Sequence, residues 1–179
     1  MTASPGRVPS RRAVLGASLS LAILTTLGAG AIALQPGLLV SPRTPLRVLD
    51  ARTFSVLAAV ADTICPGDDT LPSAWALEVP EKVDALLDTL HPASATELGR
   101  VLMLLESGLA GLVLDGRSRP FTRCTPDVRA RVLERWRTSG WMIRKSAYKA
   151  LVSAISAAYW SDPRTWAHTG YPGPPRFGA

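Results

Sequence analysis

The chain has 179 residues, with 20 Lys and Arg against 14 Asp and Glu, a formal net charge of +6 and 47% apolar residues. Setting aside an apolar N-terminal stretch and the spacer behind it leaves roughly 130 residues, one domain of common size and too few for two. A basic balance invites a nucleic-acid reading, but eleven acids and three bases between Asp50 and Asp115 oppose ten bases and two acids between Arg117 and Lys149. That cancellation argues against nucleic acid. It suits two oppositely charged helical faces that meet each other or flank a partner.

Residues 1–34 open the chain with Ser10-Arg11-Arg12-Ala13-Val14-Leu15, and no charge follows Arg12 until Arg43. A basic start, an apolar run from Ala13 to Leu34 and small residues at its end make an export signal. The pair Arg11 and Arg12 points to the twin-arginine route, with its translocase as a partner. Ala29-Gly30-Ala31 and Ala31-Ile32-Ala33 are both suitable cleavage sites. The run exceeds the about 7–15 residues of an ordinary signal core and just reaches the about 20 of a bilayer-spanning helix. A retained N-terminal anchor is therefore the second reading, and an ordinary buried helix the third. The expected location is exported: periplasmic, or membrane-associated on the outer side of the cytoplasmic membrane.

Residues 35–49 read as a Pro/Gly/Ser-rich spacer, and 50–160 as a helical domain. Asp50 is an N-cap, followed by Phe54, Leu57, Ala58, Ala61 and Ile64 at helical spacing. Cys65-Pro66-Gly67 stops that helix. Pro80 and Glu81 open a second, with Val83, Leu86, Leu87 and Leu90 inward. A third is expected from about Ala93 to Val113, with Leu98, Val101, Leu102, Leu105, Leu109 and Leu112 inward, and with Ser107-Gly108 and Gly111 either bending it or admitting a close neighbour. Arg117 to Cys124 is irregular, with Phe121 as core anchor. Thr125-Pro126-Asp127 starts a fourth helix, with Val128, Val132, Leu133 and Trp136 inward. A fifth runs from about Trp141 to Tyr159, its stripe Tyr148, Leu151, Val152 and Ile155. Strand alternation is absent, so the predicted fold class is all-α, an irregular bundle of about five helices. Residues 161–179 are expected to be an extended tail, because Asp162-Pro163, Gly170 and Pro172-Gly173-Pro174-Pro175 oppose helix. Its aromatics dock either on their own domain or on a partner.

Cys65 and Cys124 belong to no CxxC or CxxCH pattern. In an oxidising compartment they form either one disulfide, worth on the order of 3–4 kcal/mol in the chain-entropy model, or two buried free thiols. The two histidines, His91 and His168, form no HxxxH or HExxH pattern. No GxGxxG, Walker-type or GxSxG motif occurs. Adjacent Asp68 and Asp69 read as solvated turn residues. No catalytic residue, bound cofactor or metal is assigned to this chain.

One set of segments carries a family resemblance. Phe54 to Gly67 reads FSVLAAVADTICPG, followed by Leu71-Pro72-Ser73 and Val79-Pro80-Glu81-Lys82-Val83-Asp84. The end reads Tyr159-Trp160-Ser161-Asp162-Pro163, then Trp166, then Gly170-Tyr171-Pro172-Gly173-Pro174. Behind a twin-arginine signal, this resembles the gluconate 2-dehydrogenase subunit 3 family, with Cys65 standing where an Ile-Ile-Pro type of segment often reads. The resemblance implies a non-catalytic, chaperone-like small subunit. It implies a large FAD-containing dehydrogenase of the glucose-methanol-choline type as partner, exported on the small subunit's signal, and a cytochrome c subunit as a further partner. Residue type and position nominate Trp136, Trp141, Arg144, Tyr159, Trp160, Trp166 and Tyr171 for docking. Two rival readings stand beside this one. The first is a stand-alone exported ligand-binding protein or small enzyme with a pocket at Asp68, Asp69 or His168. The second is a membrane-tethered scaffold whose basic Arg117 to Lys149 segment meets anionic lipid.

Overall fold

A computed structural model describes residues 35–173. Arg11, Arg12, the apolar run and the last six residues lie outside the described residues. Within them the chain is all-α: seven helices and no strand.

Helix α1 (Ala51–Ile64) is the centre of the bundle. Asp50 caps it by accepting from the Thr53 amide at 2.7 Å. Every residue from Thr53 to Ala61 is buried, the signature of a helix packed on all sides. Around it stand α2 (Val79–Thr89), α3 (Pro92–Glu106) and α5 (Pro126–Arg137), and α6 (Met142–Trp160) packs on α2, α3 and α5. Phe54, Leu57, Leu102, Leu105, Phe121, Trp136, Leu151 and Ile155 meet in one core. Phe121, in a short 3-10 turn, is fully buried there.

The loop after α1 is tight. Gly67 has φ +80°, and a Cβ there would lie 2.6 Å from the Ser73 amide nitrogen. Asp68 accepts from the Thr70 amide, the Thr70 hydroxyl and the Leu71 amide, each at 2.7 Å. Its carboxylate is thereby committed to a local turn, and these bonds hold its pKa down at about 2.

Two expectations need correction. The long third helix is two helices, α3 and α4 (Gly108–Asp115). Ser107 separates them: its amide closes α3 on Met103 O, and its hydroxyl caps α4 at the Ala110 amide. A serine at such a join offers the backbone a cap, which competes with helix continuation. Leu109 and Leu112 point outward, 51% and 43% exposed, because the Arg117 side chain fills the inner side of α4. The buried residues there are Gly108, Gly111 and Asp115, and a Cβ at Gly111 would come 2.6 Å from Arg117 Cζ.

The tail is the second correction. Pro163–Thr165 is a 3-10 turn, and Trp166–Thr169 is a single helical turn, α7, ended by Gly170 at φ +69°. Proline is compatible with the first position of a helical turn, and Asp162 caps this one at the Arg164 amide, 3.0 Å.

The cysteines follow the second of the two readings left open by their spacing. Both thiols are free, Cys65 half-buried and Cys124 buried. Cys124 Sγ lies 3.3 Å from Pro120 O. The Cys65–Cys124 bond is not formed in this structure, and burial pushes both thiols up in pKa.

Candidate functional site

The region read as a spacer is a strap laid along the helical body. Six of its backbone N–H groups are taken by side-chain acceptors further along the chain. Leu38 donates to Thr122 Oγ1 (2.9 Å), Val40 to Ser55 Oγ (2.8 Å), and Arg43 to Glu81 Oε1 (3.1 Å). Asp84 carries most: Oδ2 accepts from Arg47 (2.6 Å), and Oδ1 from Val48 (3.1 Å) and Leu49 (2.8 Å). Glu106 steadies the far end by accepting from the Thr122 amide and hydroxyl. Glu81, Asp84 and Glu106 are all buried; both oxygens of Asp84 and Glu106 receive donors, whereas Glu81 Oε2 has no partner among the described residues.

The strap's weakest tolerance is at Gly37, where a Cβ would overlap Glu106 Oε1. Gly37→Ala is expected to cost about 1–3 kcal/mol, as for other overpacked sites. Amide exchange at Leu38 should accelerate with it.

A second cluster locks α4 to the α5–α6 hairpin. Asp115 pairs with Arg144 through Oδ1, faces Arg117 Nε at 3.9 Å, and accepts at its carbonyl from Arg135. Arg117 donates onward to the carbonyls of Leu105 and Arg119. Arg144 also lies over the Trp136 ring at 5.5 Å. The acidic and basic halves of the sequence meet here, and again where Arg129 approaches Asp62 at 3.7 Å.

A third cluster is aromatic, at the C-terminal end of α6. Trp166 Nε1 donates to Trp160 O at 2.9 Å, and Trp166 meets Tyr171 edge-on at 5.3 Å. Trp160 and Tyr171 are 45% and 47% exposed. Asp162 pins this end to the body through Lys82 of α2 (2.6 Å) and pairs with Arg164 of its own turn (2.9 Å). Arg164, and then Lys82, hold the Asp162 carboxyl well below the usual carboxylate range against the opposing effect of burial. A lowered folded-state pKa gives stability that is complete above the unfolded value, about 4. It is lost as pH falls through the folded value. Acid titration should therefore leave the Trp166 environment unchanged until well below about pH 4, and Asp162→Asn should loosen it at neutral pH, both read by tryptophan emission.

The seven residues nominated for docking divide into three groups. Trp136 and Tyr159 are core residues, 1% and 3% exposed, and the Tyr159 hydroxyl donates to Pro72 O at 2.8 Å. Arg144 is committed to Asp115. These three serve the subunit's own packing, which corrects their nomination. Trp160, Trp166 and Tyr171 share the aromatic end. Trp141, 63% exposed, stands at the opposite end of α6, about 28 Å away at the helical rise. Asp84, Glu106, Asp115 and Arg117 were not singled out from the sequence. Only Asp84 gives a hint, because it shares a face with buried Leu87 three positions on.

The concavities are open clefts. One of ≈ 380 Å³ is lined by Arg117, Arg119, Arg123, Arg131 and Arg135 around Cys124 and Val132. An apolar one of ≈ 210 Å³ lies between the strap and α1. Among the described residues no three His, Cys, Asp or Glu side chains converge as a metal site, and no helix is long and apolar enough to cross a membrane.

The fold and these surfaces describe a small all-α protein with outward-facing aromatic and apolar ends. The family model for gluconate 2-dehydrogenase subunit 3 matches residues 51–173, from the first residue of α1 to the end of the described tail. The chain belongs to that family, whose name makes it a subunit of a dehydrogenase complex. No curated protein and no solved structure matches it.

Proposed function

We propose that this chain is the non-catalytic small subunit that escorts a large FAD-dependent sugar or alcohol dehydrogenase of the glucose-methanol-choline type and stabilises it. The family match over residues 51–173 carries this reading. In it, Arg11 and Arg12 address both chains to the twin-arginine translocase. The flavin sits on the large subunit, and a cytochrome c subunit takes the electrons onward outside the cytoplasmic membrane. The strap supports the escort role: the buried carboxylates Glu81 and Asp84 of α2, with Thr122 at the far end, hold the segment behind the signal to the folded body, so the address travels with a folded subunit.

The docking surface in this reading is the aromatic end. Trp160→Ala with Tyr171→Ala should weaken the complex at least about thirtyfold, the effect of losing one hot spot of about 2 kcal/mol. The thermal midpoint of the isolated subunit should change little. Affinity purification of the tagged chain tests the whole proposal. A yellow FAD subunit should co-purify from the exported fraction, and Arg11→Lys with Arg12→Lys should strand both chains inside the cell. A colourless chain exported alone would overturn it.

A further inference from the structure

We propose that the tip of the α5–α6 hairpin inserts into the interface of an anionic lipid bilayer. The turn Thr138-Ser139-Gly140 joins the helices, and α6 begins with Trp141 as N-cap, then Met142 and Ile143. These three consecutive residues are 63%, 78% and 75% exposed. Isolated apolar surface residues are ordinary, but a contiguous exposed run marks an interaction site.

Its geometry selects the occupant. Successive positions at the start of a helix diverge by about 100°, so the three side chains radiate around the tip instead of lining one face. A flat or grooved protein surface meets only one side of such a tip. A fluid acyl boundary can surround it, and tryptophan is favoured at that depth.

Charge agrees. From Arg131 to Lys149 there are six basic residues and one acid, Glu134, and Glu134 is already paired with Arg137. Arg135 and Arg144 are tied to Asp115. Exposed Arg131, Lys145 and Lys149 remain as headgroup ligands. Lys145 and Lys149 stand about 5 and 10 Å behind Met142 along the helix, the depth of an interfacial layer. On α4, which Asp115 ties to the same end of the bundle, Val113 is 85% exposed and Leu112 43%. They extend the apolar surface beside the tip.

Tryptophan quenching by brominated lipid tests this in the full chain. The N-terminal apolar run contains no tryptophan, and the five present are Trp75, Trp136, Trp141, Trp160 and Trp166. Any bilayer contact of residues 1–34 is therefore silent to this readout. Vesicles of brominated phosphatidylcholine with phosphatidylglycerol should quench the emission. Trp141→Phe should abolish the quenching and Trp160→Phe should leave it. Met142→Asp with Ile143→Asp should require about tenfold more lipid or above for half quenching. Omitting phosphatidylglycerol or adding salt to about 1 M should weaken it.

Four results would overturn the proposal. Quenching could be absent, or it could survive Trp141→Phe. The tip could be covered by a second copy of the chain, seen as a concentration-dependent dimer that Met142→Asp dissociates without any lipid effect. Trp141 could also lose its quenching in the purified dehydrogenase complex, which would assign the tip to the large subunit. Failure of the escort reading is separable, because it shows as export of a colourless chain whatever the vesicles report.

Discussion

Replacing Asp115 by alanine is expected to lower the free energy of unfolding by about 3–5 kcal/mol, the cost of stranding buried charges whose partner is gone. The Asp115 side chain is 1% exposed, and those of Arg117 and Arg144 are 6% and 12%. Without the carboxylate, two guanidinium groups lie in a low-dielectric pocket, each with neutral acceptors at most. Burial already pulls the Arg117 pKa below its usual value, against the favourable charges of Asp115 and Glu106. Urea unfolding measures the loss. Asp115→Asn, which keeps the volume and one acceptor, should lose less. Glu134→Ala is the control: its pair with Arg137 is solvent-exposed, so its removal should be close to neutral. Equal midpoints for Asp115→Ala and Glu134→Ala would mean that water reaches the guanidiniums and that the cluster is no clamp. The hairpin tip depends on the same residues, so Asp115→Ala should also blunt lipid quenching at Trp141.

Asp84→Ala should cost about 2–4 kcal/mol, from three charge-assisted bonds that share one carboxylate and are not additive. Asp84 is 2% exposed, and the amides of Arg47, Val48 and Leu49 all converge on it. Removing it leaves those donors without their acceptor, Leu49 in a buried position. The strap should then open ahead of the helical core. Trypsin should cut after Arg43 and Arg47 in native buffer at a rate the wild-type chain does not show, while the far-UV helix signal persists. Asp84→Asn, with one accepting oxygen, should fall between the two. A purely global unfolding, without early cleavage in the strap, would show that strap and body form one cooperative unit.

Much of the fold is legible in the chain because its signals are local. Asp50 before a run of small apolar residues, Cys65-Pro66-Gly67 after it, Pro80 with Glu81, and Thr125-Pro126-Asp127 each act within one or two helical turns. The structure places α1, α2 and α5 within a residue or two of those signals. Leu133 and Leu151 are in the core for the same reason: a 3.6-residue pattern needs no partner to be read. Local propensity misled where a distant group supplied the decisive contact. Leu109 and Leu112 repeat at helical spacing and still face outward, because Arg117 arrives from the next loop and occupies the inner side of α4. Trp136 and Tyr159 have the residue types of a docking surface, but residue type does not say which side of a helix its neighbours cover.

The sequence by itself determined that this is a helical domain, where most of its helices start and stop, and which family it resembles. Capping, proline placement and apolar periodicity are short-range physics and are written in adjacent residues. The tertiary structure alone decided that residues 35–49 are a strap, that Cys65 and Cys124 stay apart, and that the nominated aromatics divide between the core and two ends of α6. Those outcomes depend on backbone donors and buried charges finding partners 15 to 84 positions away. A single chain read in order does not record which acid will meet which amide.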